Sequence, residues 1–552
     1  MTAAQNVADA IYSNGKIYTV DDDTSWAEAV AIKDGKFLAV GTAEEVAAFA
    51  GAGTETYDLE GRFVMPGLVD THTHPFIDAI RQVDQLSIDG ASDSAEDIRD
   101  QIAAYAAANP DKEWILGMGW PKGVFPEENP HRDLFDEAVA DRPGCLMDQG
   151  GHSFWCNTLA LEIAGVTADF EPPRGAIIET DADGTPSGTI RETALGYMKQ
   201  FFVKPSDAVF LEAAEFFQGL ARSNGITATR TATGSEDTHL TLARMAADDA
   251  LTMRWAVGLD VNYFESAYPY EERLAQIERR GQYKSEFVGV DFVKIFVDGD
   301  INGFGIGMLK PFPNSGGNLG QTSLDQDELI ELVKKYDSEG ISIQFHAFGD
   351  RSIEYMTVAL EEAAKANGGT LNTRHYPDHM VFANEDQIKR VVELNGLIGF
   401  APYAGMTFPG VHGSYAQFLG EAILKHIQPA KNVIELGGIF GTGSDWNSIP
   451  LTPWPLLEGM IHRRNPWVGP DESQANNAAQ AISRDEAIRV YTIWGAHALL
   501  MEDEIGSIEV GKAADFVVLD RDITTIPVDD ISETQVLETV FAGRSVYKVE
   551  AD

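Results

Sequence analysis

Strand-like and helix-like segments alternate through the middle of this sequence, and that rhythm limits the fold more than any single residue does. "FVKIFVDGD" (292–300) and "ISIQFHAFGD" (341–350) have the apolar, β-branched texture of strands. Between them, "LDQDELIELVKKYDSEG" has helical spacing and a glycine stop at Gly340. After the second strand, "RSIEYMTVALEEAAKAN" sets Ile353, Met356, Leu360 and Ala363 on one helical stripe. Further strand candidates are "CLMDQG" (145–150), "ITATRTAT" (226–233), "LIGFAPY" (397–403) and "GGIFGTGSD" (437–445). Repeated β-then-α units predict a parallel sheet, and about eight strands in roughly 400 residues predict an α/β chain closed as a (β/α)8 TIM barrel.

Both ends of the chain read differently. Residues 10–62 are short strands and turns, with Asn14-Gly15 and Asp34-Gly35 as hairpin signals. The far end, "IGSIEVGKAADFVVLD" and "VLETVFAGRSVYKV", has the same texture, broken at Gly511 and Gly543. The expected plan is therefore residues 1–65 and 501–552 forming one small β-sandwich domain, around a barrel with insertions over 66–500.

Composition excludes some functions. The 552 residues carry 41 Lys plus Arg against 86 Asp plus Glu, a net charge of −45. A surface that tracks phosphates needs the opposite sign, so nucleic acid is not an expected partner. The charge reads as a solubility or salt-tolerance surface, with attraction of a cationic substrate a weaker alternative. No apolar run reaches the ~18 residues of a membrane span. The N-terminus has no basic start followed by an apolar run, which argues against a secretory signal. Cys145 and Cys156 form neither a CxxC pair nor a disulfide framework, and so point to a reducing cytoplasm.

The chemistry is concentrated at predicted strand ends. In "FVMPGLVDTHTHP" (63–75), Pro66 and Gly67 turn the chain into the barrel, an apolar run builds the first strand, and Pro75 stops it. His72 and His74, two apart, point to the same side. His346 ends "ISIQF", His379 follows "RHYPD", and Asp445 ends "GGIFGTGSD". In a (β/α)8 barrel such positions converge on one mouth. Imidazole and carboxylate are the ligands of catalytic zinc sites, which keep a position open for water. Lys294, in "FVKIF", faces the interior with Phe292 and Phe296. An unpaired ammonium there costs several kcal/mol or loses its proton. Two solutions present themselves: carboxylation, giving an anionic ligand able to bridge two metals, or pairing with an acid such as Asp298.

Taken in order, these motifs resemble the amidohydrolase superfamily of metal-dependent hydrolases, through "VMPGLVDTHTHP" and the closing "IGSIEVGKAADFVVLD". "GHSFWCNTLALEIAGV", "DADGTPSGTIRETA", "VKIFVDGD", "HAFGDRSI" and "GTGSDWNSIP" are similar to the subgroup that includes N-substituted formamide deformylase, over about residues 10–547. The resemblance implies His72, His74, Lys294, His346, His379 and Asp445 as metal ligands, with Asp445 also taking a proton from water. It implies one or two divalent ions, zinc first, and a homodimer. Two departures stand out. Asp378 replaces the glutamate usual before the second late histidine, which bears on the support of His379. Arg230 stands where an aspartate or histidine is common, and reads as a contact for a substrate carboxylate or as the partner of one of the chain's many acids.

The implied reaction is hydrolysis of a C–N bond in an amide, N-acyl or N-formyl amide of a small molecule in the cytoplasm. Metal lowers the pKa of water to about 7, and Asp445 moves the proton. His152 holds the developing oxyanion or makes a structural hydrogen bond beneath its loop. Trp120 and Trp446 wall the pocket or belong to the core. Ester or lactone hydrolysis is the nearest rival. Deamination of a cyclic C=N and a non-catalytic scaffold stand further off.

Overall fold

The computed structural model describes residues 7–549 apart from 89–91, 93, 127–128, 150, 152, 174–175, 263–267, 300, 302–303, 402–414, 416–418, 421–426, 447 and 469–476. The chain forms two compact units, one of residues 1–74, 217–261 and 277–552, the other of residues 75–216 and 262–276.

Among the described residues the larger unit holds eight parallel strands of three residues or more: β1 (Leu68–Thr73), β2 (Ile226–Thr231), β3 (Arg254–Val257), β4 (Phe292–Phe296), β5 (Ser342–Ala347), β6 (Tyr376–His379), β7 (Leu397–Gly399) and β8 (Ile439–Gly441). It also holds the two-residue strands Leu259–Asp260 and Val288–Gly289, the latter paired with β3. Every residue of β1, β2 and β4 is buried, as expected of parallel strands covered on both faces. The hydrogen-bonded ladders are β1–β2–β3, β4–β5–β6 and β7–β8. Leu259–Asp260, just after β3, pairs with β4 and links the first two ladders. The ladders do not form the expected closed sheet, since among the described residues no strand pairing joins β6 to β7. At the other seam β1 meets the segment after β8, through Thr71 N to Thr442 O (3.3 Å) and a Thr73–Trp446 bridge.

The helices between these strands follow their sequence signals. Gln326–Ser338 starts at Asp325 in a capping box with Glu328, and Gly340 takes the left-handed turn (φ 70°) beyond its end. Asp350–Ala366 buries Ile353, Met356, Leu360 and Ala363 completely.

The same unit contains two sheets built from the chain ends. One has the order 36–41, 29–33, 10–13, 55–58; the other 544–548, 536–541, 516–519, 63–66, 16–18, 26–27. A strand from each end of the chain meets in the second, where Met65 lies opposite Val517. Tyr12, Val30 and Phe37 from one sheet share an apolar cluster with Val64, Phe516 and Val540 from the other. The Asp34-Gly35 turn is the expected hairpin, with both residues at positive φ. Asn14-Gly15 is not a hairpin turn: Ala10–Ser13 and Lys16–Tyr18 enter different sheets. A Cβ on Gly15 would lie 2.5 Å from Leu59 Cδ1, so a larger residue there would have to displace the end of the buried Leu59 side chain. Gly67 is required more strictly, because a Cβ there would lie 2.2 Å from Thr227 Oγ1 and 2.9 Å from Thr227 Cβ at the start of β2.

The smaller unit is a mixed six-stranded sheet, in the order 176–180, 186–192, 153–156, 144–148, 115–120, 86–87. It claims the segment 145–150 that sequence texture grouped with the parallel strands. Cys145, Met147, Phe154 and Ile190 pack on one face, Ile115, Leu146 and Trp155 on the other, the period-two alternation of a sheet covered on both sides. Cys145 lies directly opposite Cys156 in an antiparallel pair, and the two are joined by a disulfide. This corrects the expectation of unpaired cysteines, and the argument for a reducing compartment loses its footing. Pro75, expected to stop a strand, opens the helix Pro75–Asp84, where a missing N–H costs nothing. Among the described residues no helix is long and apolar enough to cross a membrane.

Candidate metal centre

At the C-terminal end of β1, the Nε2 atoms of His72 and His74 lie 3.2 Å apart. Asp445 Oδ1 is 2.9 Å from His74 Nε2 and 3.4 Å from His72 Nε2. These three residues form one potential ligand set, although Asp445 follows His74 by 371 positions in the sequence. The backbone makes the approach: His72 C=O accepts from Asp445 N (2.8 Å), and Trp446 C=O from His74 N (3.1 Å). Asp445 sits at φ 48° and His379 at φ 67°. Left-handed backbone is uncommon outside glycine, and its cost is typically met where a side chain must be aimed.

Each ring is oriented by its second nitrogen. His72 Nδ1 lies 2.5 Å from Asp378 Oδ2. A carboxylate only accepts, so the proton is on Nδ1 and the Nε2 lone pair faces His74 and Asp445. His379 Nδ1 donates to Ala401 O (2.8 Å), which leaves its Nε2 as a lone pair. His346 Nε2 donates to Gly299 O (3.1 Å), leaving Nδ1. His74 Nδ1 meets Thr233 Oγ1 at 2.8 Å. The rings pack in series, with His379 centred 4.8 Å from His72 and His346 centred 4.4 Å from His379.

Electrostatics follow from burial. Burial pushes His72, His346 and His379 down, the last to about 3, while Asp378 and Asp445 oppose the shift at His72. Burial also pushes Asp445 up, but His72 and His74 outweigh it and hold the carboxyl well below the usual range. Asp378 is likewise kept anionic against burial, by His72 first.

Lys294 is fully buried and its Nζ has no hydrogen-bond partner among the described residues. Burial lowers its amine to about 8, with Asp378 and Asp445 opposing. Pairing with Asp298 is ruled out as its explanation. That carboxylate instead accepts from the backbone N–H groups of Gly307, Phe348 and Gly349. A donor set of imidazole lone pairs and a carboxylate, beside an orphaned buried amine, fits a divalent cation of the zinc type.

The remaining predicted contacts are placed elsewhere or lie beyond description. His152 is outside the described residues. Trp120 is fully buried in the smaller unit, where its Nε1 donates to Leu146 O (2.9 Å) and its ring meets Phe125 edge-on. Trp446 packs against Phe217 and is 6% exposed. Arg230 is 1% exposed and pairs with no acid among the described residues; its Nε donates to Gln344 Oε1 (3.1 Å) and its guanidinium stacks 3.7 Å from the Phe292 ring centre. Asp378 departs from expectation too. Its side chain bonds the ring of His72, and gives His379 only a backbone contact, to N, at 2.7 Å.

Asp70 was missed by the sequence reading. Its buried carboxylate accepts from His72 N (3.1 Å), Ser444 N (3.1 Å) and Ser444 Oγ (2.7 Å), tying β1 to the loop that carries Asp445. Gly443 must be glycine here, since a Cβ would lie 2.2 Å from Asp70 Oδ1. The signal available was parity, because Asp70, His72 and His74 alternate along one strand face.

The model of the amidohydrolase family matches residues 55–547, most of the chain. This chain belongs to the amidohydrolase family. It is a metal-dependent hydrolase of mixed α/β fold. It is 26% identical to the protein LONG AFTER FAR-RED 3 of Arabidopsis thaliana, over 98% of this chain and 92% of that one. It is 24% identical to the N-substituted formamide deformylase of Arthrobacter pascens, over 97% of each. In fold it is similar to an uncharacterised metal-dependent hydrolase from Pyrococcus horikoshii, with a TM-score of 0.75 at 20% identity, covering 94% of this chain and 99% of the other.

Proposed function

We propose that this amidohydrolase cleaves the C–N bond of a small amide, N-acyl or N-formyl amide with water as nucleophile, on eight strands that correspond to a (β/α)8 barrel. The observation that carries the reading is the meeting of His72 Nε2, His74 Nε2 and Asp445 Oδ1 within 3.4 Å of one another. His72, His74 and Asp445 would hold the cation, zinc by donor type, and His346, His379 and Lys294 would serve a second ion or act as further ligands. When bound, the metal supplies Lewis acidity and a water pKa near about 7.

The protein's own share is proton traffic and orientation. Asp445, kept anionic against its burial, removes a proton from water as the oxygen bonds to the scissile carbonyl carbon. It then returns that proton to the departing nitrogen as the C–N bond breaks, yielding a carboxylic acid and an amine. Carboxylation of Lys294, in which the deprotonated amine adds dissolved carbon dioxide and releases a further proton to solvent, would give an anionic ligand and remove the cost of an unpaired ammonium. Formamides are the first substrates to test, given the likeness to the Arthrobacter pascens enzyme. Esters and lactones are the second class, because the same proton transfers serve a leaving oxygen.

The test is elemental analysis of the purified protein together with a panel of formamides, amides, esters and lactones. The expected result is one or two equivalents of zinc, hydrolysis of at least one N-formyl or N-acyl amide, and loss of activity to a chelator with recovery on adding metal. A full-activity preparation without metal would overturn the reading.

A further inference from the structure

We propose that Arg230 and Gln344 are positioning residues that act through Asp378 to fix the tautomer and aim of His72. The inference rests on the reading of His72, His74 and Asp445 as a metal-holding set, and adds two residues that touch neither metal nor substrate.

The relay runs in one direction. Arg230 Nε can only donate, and it lies 3.1 Å from Gln344 Oε1. That contact forces the amide so that its Nε2 faces Asp378 Oδ2 at 3.0 Å. The same Oδ2 takes the His72 Nδ1 proton at 2.5 Å. Gln344 Nε2 is also 3.2 Å from His72 Nδ1, because two donors converge on one carboxylate oxygen. A flipped amide would set oxygen against carboxylate at one end and NH₂ against guanidinium at the other. Arg230 is what forbids the flip.

Arg230 is itself well anchored. Its Nη1 donates to Ala498 O and its Nη2 to Ser342 Oγ (3.4 Å), while Phe292 stacks beneath it. Burial lowers its pKa only to about 9, so it remains a cation and a pure donor at neutral pH. A buried cation without an ion pair among the described residues is poor value as a stabilising feature. As the fixed end of a relay from β2 through β5 and β6 to β1 it has a use. Each link lies on a different strand, so the His72 lone pair is held by four strands at once. Supporting groups of this kind typically govern metal affinity by about 10–100-fold.

The test titrates metal-free protein with zinc against a chromophoric chelator, for the unmutated chain, Gln344→Leu, Arg230→Met and the double variant, with melting followed in parallel. Each single variant should weaken zinc binding at least tenfold. The double should match Gln344→Leu alone, because the residues act in series. Gln344→Leu conserves volume and keeps the strand apolar. If Arg230→Met fails to fold, Arg230→Gln takes its place, because an amide that can donate or accept no longer forbids the flip, and it should weaken zinc equally. A lower melting temperature with zinc affinity within twofold would show a merely structural role and overturn the inference. Multiplicative losses in the double would overturn it as well. Failure of the unmutated chain to bind zinc would bring down the metal reading itself, and this inference with it.

Discussion

The two ends of β6 carry a histidine each, and they have opposite characters. His375, just before the strand, accepts from Ile343 N at Nδ1 (3.1 Å) and donates from Nε2 to Asp337 Oδ1 (3.1 Å). Asp337 is completed by Asn367 and by the backbone of Asn372 and Thr373. Nothing on that ring is left over. His379, at the other end, spends one nitrogen on Ala401 O and keeps a lone pair among His72, His346 and the anionic Asp445. Both rings are buried and both are kept neutral by burial. The difference lies in unspent bonding capacity, which marks the C-terminal end of the strands as a place for a ligand and the N-terminal end as framework.

The sharpest way to break that contrast is to remove the proposed base. Asp445→Asn should lower kcat by about 10²- to 10⁴-fold in a zinc-replete sample, with the melting temperature little changed. Steady-state kinetics on the best formamide or amide substrate measures it. Activity within tenfold of the unmutated enzyme would put the proton transfer on another group.

Lys294 gives the next largest effect, in stability. Its folded pKa, about 8, lies below the ordinary 10.5. A depressed lysine binds fewer protons folded than unfolded between those values, so metal-free protein should gain stability as pH rises from about 8 to 10.5. Below that window the penalty is complete, up to about 3 kcal/mol. Metal-free Lys294→Met in bicarbonate-free buffer should therefore be the more stable protein at pH 7, and should lack this rise, while binding zinc less tightly. Denaturant unfolding of both proteins across pH decides it; parallel profiles would mean that Lys294 has a partner in solution.

His375→Leu probes the framework end. It removes a hydrogen bond to an ionised carboxylate, and the expected cost is about 2 kcal/mol. Zinc content and kcat/KM per folded molecule should stay within twofold. A large loss of zinc here would erase the distinction between the two ends of β6.

How much of this was legible beforehand follows a physical line. Six of the eight longer parallel strands were readable because buried apolar runs are local signals, as at Phe292–Phe296, and the capping box at Asp325 marked a helix start. Arg254–Val257 and Tyr376–His379 were not, since each is only four residues and carries a charged or proline residue. His72, His74 and Asp445 were readable because chemistry at strand ends is conspicuous. The disulfide was not, because strand register sets Cys145 opposite Cys156, and register is absent from spacing alone. Asn14-Gly15 misled since turn residues report a change of direction and say nothing of which sheet receives the next strand. Asp378 was assigned to its sequence neighbour, although adjacent strand residues point to opposite faces. Its true partner, His72, is 306 residues away.

Trp120 offers the smallest effect and tests the boundary between core and site. As a substrate wall, its indole would change KM when altered. Its position argues otherwise, since the ring is wholly buried with Nε1 bonded to Leu146 O and its edge contact made to Phe125. Trp120→Phe keeps most of the apolar volume and loses that one bond, a cost of about 1 kcal/mol. Melting should fall by a few degrees while KM and kcat hold. A shift in KM without a shift in melting would return Trp120 to the substrate side, because a residue that only packs has no means of telling one amide from another.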